Sequence, residues 1–162
     1  MILLPHIITG AMIGAKTKNL GLIIILSFLS HFILDKIPHW DYSIKGVKDF
    51  RGTRNFKKLV MTLIKIGIDG LIGLLIVSLT LWQSDMFNSD YLLFILFGIF
   101  ASVLPDLLGI LSEIMHNNLL NIFAKFHDFA HSKKTEKEGK ITFLGIFTQI
   151  AVIIFALSGF FL

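Results

Sequence analysis

Three stretches of this chain, roughly residues 58–82, 91–115 and 141–162, are apolar almost throughout. Each is about as long as the ~20 residues a helix needs to cross a hydrocarbon core, at a rise of about 1.5 Å per residue. In lipid every backbone N–H and C=O must be bonded within the segment or within a closed barrel, so these runs predict helices. Composition agrees, since 54% of the residues are hydrophobic and the mean hydropathy is +0.78, well above a typical soluble domain. Two earlier runs, roughly 2–15 and 20–35, are separated by "KTKN" and are short for a crossing. They predict a tilted or re-entrant helical hairpin, packed against protein or lining a wet cavity. The expected fold is therefore all-α: one integral membrane domain over residues 1–162, a polytopic helical bundle of three long transmembrane helices plus an N-terminal hairpin of short helices. "GAMIG" in the first run and "GIDGLIG" in the third place small residues at three- and four-residue spacing, suited to close helix contact.

Charge orients this bundle. Residues 36–58 carry Lys36, Lys45, Lys48, Arg51, Arg54, Lys57 and Lys58, and residues 116–140 carry Lys125, Lys133, Lys134, Lys137 and Lys140. The intervening "QSDMFNSD" has no Lys or Arg. The positive-inside rule puts both basic segments on the cytoplasmic side of a bacterial or archaeal inner membrane, with residues 83–90 and the C-terminal end outside. Lys16 and Lys18 dissent, a conflict eased by partial penetration of the hairpin or by snorkelling. The net charge of +4 does not point to nucleic acid, because the basic residues fill gaps between apolar runs with no aromatic interleaving to stack bases. The N-terminal "MILLPHIITGAMIGA" has no basic residue ahead of its apolar part and makes a poor signal peptide.

Against this apolar background, six histidines stand out: His6, His31, His39, His116, His127 and His131. His31 and Asp35 are four apart and share a helix face, and "HDFAH" sets His127 and His131 at the same spacing, by which a helix offers two side chains to one metal ion. Pro38 turns the chain after Asp35 and brings His39 and Asp41 back within reach. His116, in "MHNN", falls at a helix end and reads as interfacial. Two acids lie deeper, Asp69 in the third run and Asp106 after Pro105 in the fourth. A carboxylate in the membrane costs about 2.5 to 3.5 kcal/mol on insertion scales and so faces the interior with a partner. For Asp69 two partners are open: the metal-binding cluster, or Lys65 one helical turn earlier.

The candidate metal ligands are thus His6, His31, Asp35, Asp69, Asp106, His127 and His131, with His39 and Asp41 as candidate catalytic acid and base. With no cysteine in the chain, such a site consists of imidazole and carboxylate, which suits zinc, with manganese or iron as alternatives. The number of candidates suits one to three ions, two of them sharing a bridging carboxylate. A centre of this kind generates hydroxide near neutral pH and clamps the oxygens of a phosphoryl transfer. Other signatures are missing: there is no HExxH helix, no P-loop and no GxSxG elbow.

"PHIITGAMIGA", "SHFILD", "VLPDLLG" and "HDFAHS" together resemble the YdjM-like group of small inner-membrane proteins, described as membrane-bound metal-dependent hydrolases. The resemblance spans most of the chain. It implies a helical membrane protein with a hydrolase site whose ligands are His6, His31, Asp35, Asp106, His127 and His131. That group is in turn distantly similar to zinc-dependent phospholipase C and P1-type nucleases, helical enzymes that cleave phosphodiesters. The order of elements differs, since HxxxD here precedes the Pro-Asp and HxxxHS elements. Asp128 also replaces the basic residue usual after the first histidine of HxxxHS.

The leading expectation is a membrane-embedded metal-dependent hydrolase with its His/Asp site at the cytoplasmic face, acting on a phosphoester of a lipid or lipid-linked molecule entering laterally from the bilayer. The alternatives are a non-enzymatic carrier of metal ions or protons, and a structural membrane subunit whose polar groups pack helices. A carrier needs ligands along a path through both leaflets, whereas the outer half of this chain is almost free of ionisable residues.

Overall fold

The computed structural model describes residues 1–87, 89–115, 117–130 and 141–162. Among them are eight helices and no strand: α1 (Leu3–Lys16), α2 (Leu20–Lys36), α3 (Lys45–Lys48), α4 (Phe50–Thr53), α5 (Phe56–Gln83), α6 (Ser89–Ile114), α7 (Asn118–Ala130) and α8 (Phe143–Ser158). Two are long and apolar enough to cross a membrane, α5 with 28 residues and α6 over Tyr91–Ile114. The third expected long helix is shorter. α8 has 16 residues, because the chain leaves the helix at Gly159 and turns through Phe160.

α1 is the centre of the molecule. Ile7, Ile8, Ala11 and Ala15 are buried against Val77 and Leu81 of α5, Ile95 of α6, and Ala156 and Phe160 at the end of α8. This crowding explains the small residues of "GAMIG". A Cβ on Gly10 or Gly98 would run into the other's carbonyl oxygen, and one on Gly14 into the carbonyl of Phe94. The pairing of Gly10 with Gly98 and Gly14 with Phe94 shows that α1 and α6 run antiparallel with backbones in contact. α2 returns antiparallel to α1 after Asn19, whose side chain accepts the Leu22 amide at 3.1 Å and caps the helix.

A second, smaller core lies around α3 and α4, where Val47, Phe50 and Leu59 pack with Ile110 and Ile114 of α6. Gly46 makes this contact close, since a Cβ there would strike the Lys58 carbonyl and the Thr62 hydroxyl of α5. Residues 37–44 form a non-helical strap held by α8. Thr148 donates to the Pro38 carbonyl, Gln149 Nε2 donates to the Trp40 carbonyl at 2.6 Å, and Gly145 leaves room for the Trp40 backbone.

A candidate metal centre of two histidines and two aspartates

Four side chains from three helices converge where the N-terminal end of α1 meets the C-terminal end of α2: His31 and Asp35 of α2, Asp106 of α6 and His127 of α7. Their ligand atoms all lie within 4.8 Å of one another. Each has a structural cause. His31 and Asp35 follow one another at one helical turn on the buried face of α2. Asp106 sits one turn after Ser102 on the same face of α6, which remains helical through Pro105. His127 arrives because α7 turns back along α6 and lays its inner face against Gly109.

The hydrogen bonding sets which atoms point inward. His31 Nδ1 lies 2.9 Å from the Ser102 carbonyl oxygen, which can only accept, so Nδ1 donates to it and Nε2 is the nitrogen that faces the centre. This pairing of a ring N–H with a backbone carbonyl is the arrangement that orients metal-binding histidines. From His31 Nε2 it is 3.0 Å to His127 Nε2, 3.1 Å to Asp35 Oδ2 and 3.7 Å to Asp106 Oδ1. From His127 Nε2 it is 3.7 Å to Asp35 Oδ2 and 3.4 Å to Asp106 Oδ1. A tetrahedron with metal–ligand bonds of 2.0 to 2.1 Å has an edge of about 3.3 Å. The five distances bracket that edge, so the donor set fits one small divalent cation.

Charge points the same way. Two carboxylates meet here with no Lys or Arg in the group, and isolated buried anions cost several kcal/mol each unless neutralised. Among the described residues a positive charge is brought by the Met1 ammonium, 2.7 Å from Asp35 Oδ1 and 3.8 Å from Asp41 Oδ2. Asp35 therefore divides its oxygens: Oδ2 faces His31 and His127, while Oδ1 faces the ammonium and, at 3.3 Å, His6 Nε2. The fully buried His6 ring stacks on His31 with centroids 4.2 Å apart, and its Nδ1 has no hydrogen-bond partner among the described residues.

The remaining candidates fall elsewhere. Asp69, expected either in the cluster or paired with Lys65, caps α1: its Oδ2 accepts the Leu3 amide at 2.6 Å and faces the Tyr42 hydroxyl at 3.5 Å. Among the described residues no ion pair joins it to Lys65. Burial, and then the negative charge of Asp69, push the Tyr42 phenol well above its ordinary range, so Tyr42 is a neutral donor. His39 is buried on the strap with Nδ1 2.7 Å from the Ile37 carbonyl, outside the four-residue group. Asp41 reaches the edge of the site through the Met1 ammonium and is partly exposed. His131 and His116 lie outside the described residues.

Ser102 was not singled out by the sequence reading, yet it is the hub. Its carbonyl orients His31 and its hydroxyl donates to the His6 carbonyl at 2.8 Å, tying α1, α2 and α6 together. The signal was present: a lone serine in an apolar run, one turn before Asp106.

No known protein family, curated protein or solved structure matches this chain. What fold and site together define is a class: an all-helical protein with two helices long and apolar enough to cross a membrane, and a buried His/Asp group able to hold a metal ion.

Proposed function

We propose that this protein is a membrane-embedded metal-dependent hydrolase, related to the YdjM-like group, that cleaves a phosphoester of a lipid or lipid-linked substrate at the cytoplasmic face of the inner membrane. The observation that carries the reading is the convergence of His31, Asp35, Asp106 and His127 at tetrahedral spacing, with the His31 tautomer held by Ser102. In this reading α5 and α6 span the membrane, while α1, α2 and α8, with 14, 17 and 16 residues, enter it without crossing fully. Zinc suits two imidazoles and two carboxylates without thiolate.

When bound, the metal supplies Lewis acidity and a water that loses its proton near neutral pH. The protein's own groups do the rest. His31 and Asp35 are buried and rigid, whereas Asp106 and His127 keep some exposure, so substrate approaches from their side. Asp35 would hold the metal through Oδ2, while its Oδ1 is engaged by the Met1 ammonium and lies near His6. Asp41, partly exposed at the rim, accepts and returns the proton in the hydrolytic step. His39, fixed by Nδ1 on the Ile37 carbonyl of the same strap, is the second candidate acid–base group. A separate apolar cleft of about 440 Å³ lies between α1, α2 and α8, lined by Thr9, Met12, Ile33, Leu34, Val152 and Phe155.

The test is elemental analysis of protein purified without chelators, followed by phosphodiester and phospholipid hydrolysis assays. At least one zinc per chain is expected, lost on either His31→Ala or His127→Ala together with activity. Wild-type protein that binds no divalent metal overturns the reading.

A further inference from the structure

We infer that α7 is a re-entrant helix whose outer face lies in lipid, so that the bilayer itself backs the helix that delivers His127 to the metal centre. This rests on the membrane reading above and goes beyond it, because residues 116–140 read in sequence as a basic cytoplasmic segment.

The path of α7 is the first ground. Arg51 donates to the Ser112 carbonyl, to the Met115 carbonyl at 2.6 Å and to Asn121 Oδ1 at 3.4 Å, pinning the end of α6 to the first turns of α7. Farther along, His127 meets Gly109 and Asp106. Rising numbers in α7 thus match falling numbers in α6, and the two helices are antiparallel neighbours. His127 lies nine residues after Asn118 and Asp106 eight before Ile114, about 12 to 13 Å in each case. α7 therefore runs back beside the last third of a helix long and apolar enough to cross a membrane.

The second ground is its outward face. Leu119, Ile122, Phe126 and Phe129, spaced 3, 4 and 3, form one stripe and are 77%, 66%, 54% and 69% exposed. Phe123 and His127 occupy the inner face, while Lys125 and Asp128 are confined to one flank. The stripe is continuous with the exposed apolar face of α2: Phe126 meets the Phe32 ring at 5.2 Å, and the Lys36 ammonium lies 5.2 Å from the Phe129 ring. There the lysine stem covers the aromatic ring while its ammonium donates to the Phe129 carbonyl at 3.5 Å, so the cation is partnered within the protein. Bilayer acyl chains fit a surface that is apolar, shared between two helices and beside a span.

The chain has no cysteine, so single-cysteine variants need no altered background. Nitroxide labels at Ile122→Cys, Phe129→Cys, Asp128→Cys and Leu71→Cys, in protein reconstituted into phosphatidylcholine/phosphatidylglycerol vesicles, report collisions with oxygen, enriched in lipid, and with a polar nickel chelate. Leu71 is on the exposed apolar face of α5 and is the reference. Oxygen is expected to exceed nickel at 71, 122 and 129, and the order to reverse at 128. Oxygen dominance at 71 with nickel dominance at 122 and 129 overturns the inference and leaves the membrane reading standing. Nickel dominance at 71 removes both. Low collision with either reagent at 122 and 129 means a protein partner, such as a second copy, covers α7, and also overturns it.

Discussion

α2 and the segment around α3 and α4 are built by opposite rules. On α2 the buried side chains include the polar Ser27, His31 and Asp35 beside Ile23 and Leu34, while Leu22, Ile25, Leu29 and Ile33 are exposed. Around α3 and α4 the buried side chains are Val47, Phe50 and Leu59, and Lys45, Lys48, Arg51 and Arg54 lie outside. The first pattern is the one expected of a helix facing hydrocarbon, the second the one expected in water. Water drives apolar groups inward, as at Phe50. Hydrocarbon removes that drive and leaves polar groups to find one another, as His31 and Asp35 do. The two patterns meet at the candidate metal centre, at the end of α2 and eight residues before the end of α6, which is where a polar group can be both dry and reachable.

The largest effect that sharpens this contrast is on the water-type side. Phe50→Ala removes a ring packed on Val47 and Leu59, and is expected to cost about 3 to 5 kcal/mol in denaturant-induced unfolding. Lys45→Ala, exposed on the neighbouring turn, is expected to change stability by no more than about 0.5 kcal/mol. On the lipid-type side the ordering inverts. Leu29→Lys replaces an exposed residue near the middle of α2, a neutral change in water but one costing about 2.5 to 3.5 kcal/mol in a bilayer. Unfolding in lipid-containing mixed micelles and recovery in the membrane fraction measure it. If Leu29→Lys behaves like Lys45→Ala, α2 faces water and the contrast collapses.

How much of this was legible beforehand follows from the range of the interactions. His31 with Asp35 and Ser102 with Asp106 are one helical turn apart, so helical periodicity alone puts each pair on one face. The apolar runs of α5 and α6 could be located because length and composition carry the signal. Periodicity does not say which faces meet. That His127 joins Asp106, 21 positions away on another helix, depends on α7 folding back, and the basic residues around α7 masked its outer apolar stripe. The shortness of α8 was hidden because Gly159, Phe160 and Phe161 are as apolar as a helix continuing through them. Asp69 is the clearest case: its partner is the amide of Leu3, 66 residues earlier, and a backbone amide has no sequence signature.

That pair gives the smallest prediction. Asp69 faces the Leu3 and Leu4 amides and the Tyr42 hydroxyl, so it fixes both the start of α1 and the strap bearing His39 and Asp41. Asp69→Asn keeps an acceptor oxygen and removes the charge, so a loss of about 1 kcal/mol is expected, with metal content unchanged. Loss of metal in Asp69→Asn would instead place Asp69 in the centre. The Tyr42 phenol supplies an independent readout. Burial and the Asp69 charge both favour its neutral form, so its folded-state pKa is raised. The stability it contributes is full below the unfolded value of about 10 and is lost as pH rises past it toward the higher folded value. In a Tyr91→Phe background, phenolate absorbance near 295 nm should therefore stay absent past pH 10 in folded protein. Asp69→Asn should move its onset downward, since the Asp69 charge is gone while burial and the charges of Asp41 and Asp106 remain. An onset near 10 in the wild type would mean that the strap is not seated on Asp69, and that His39 and Asp41 are not held over the site.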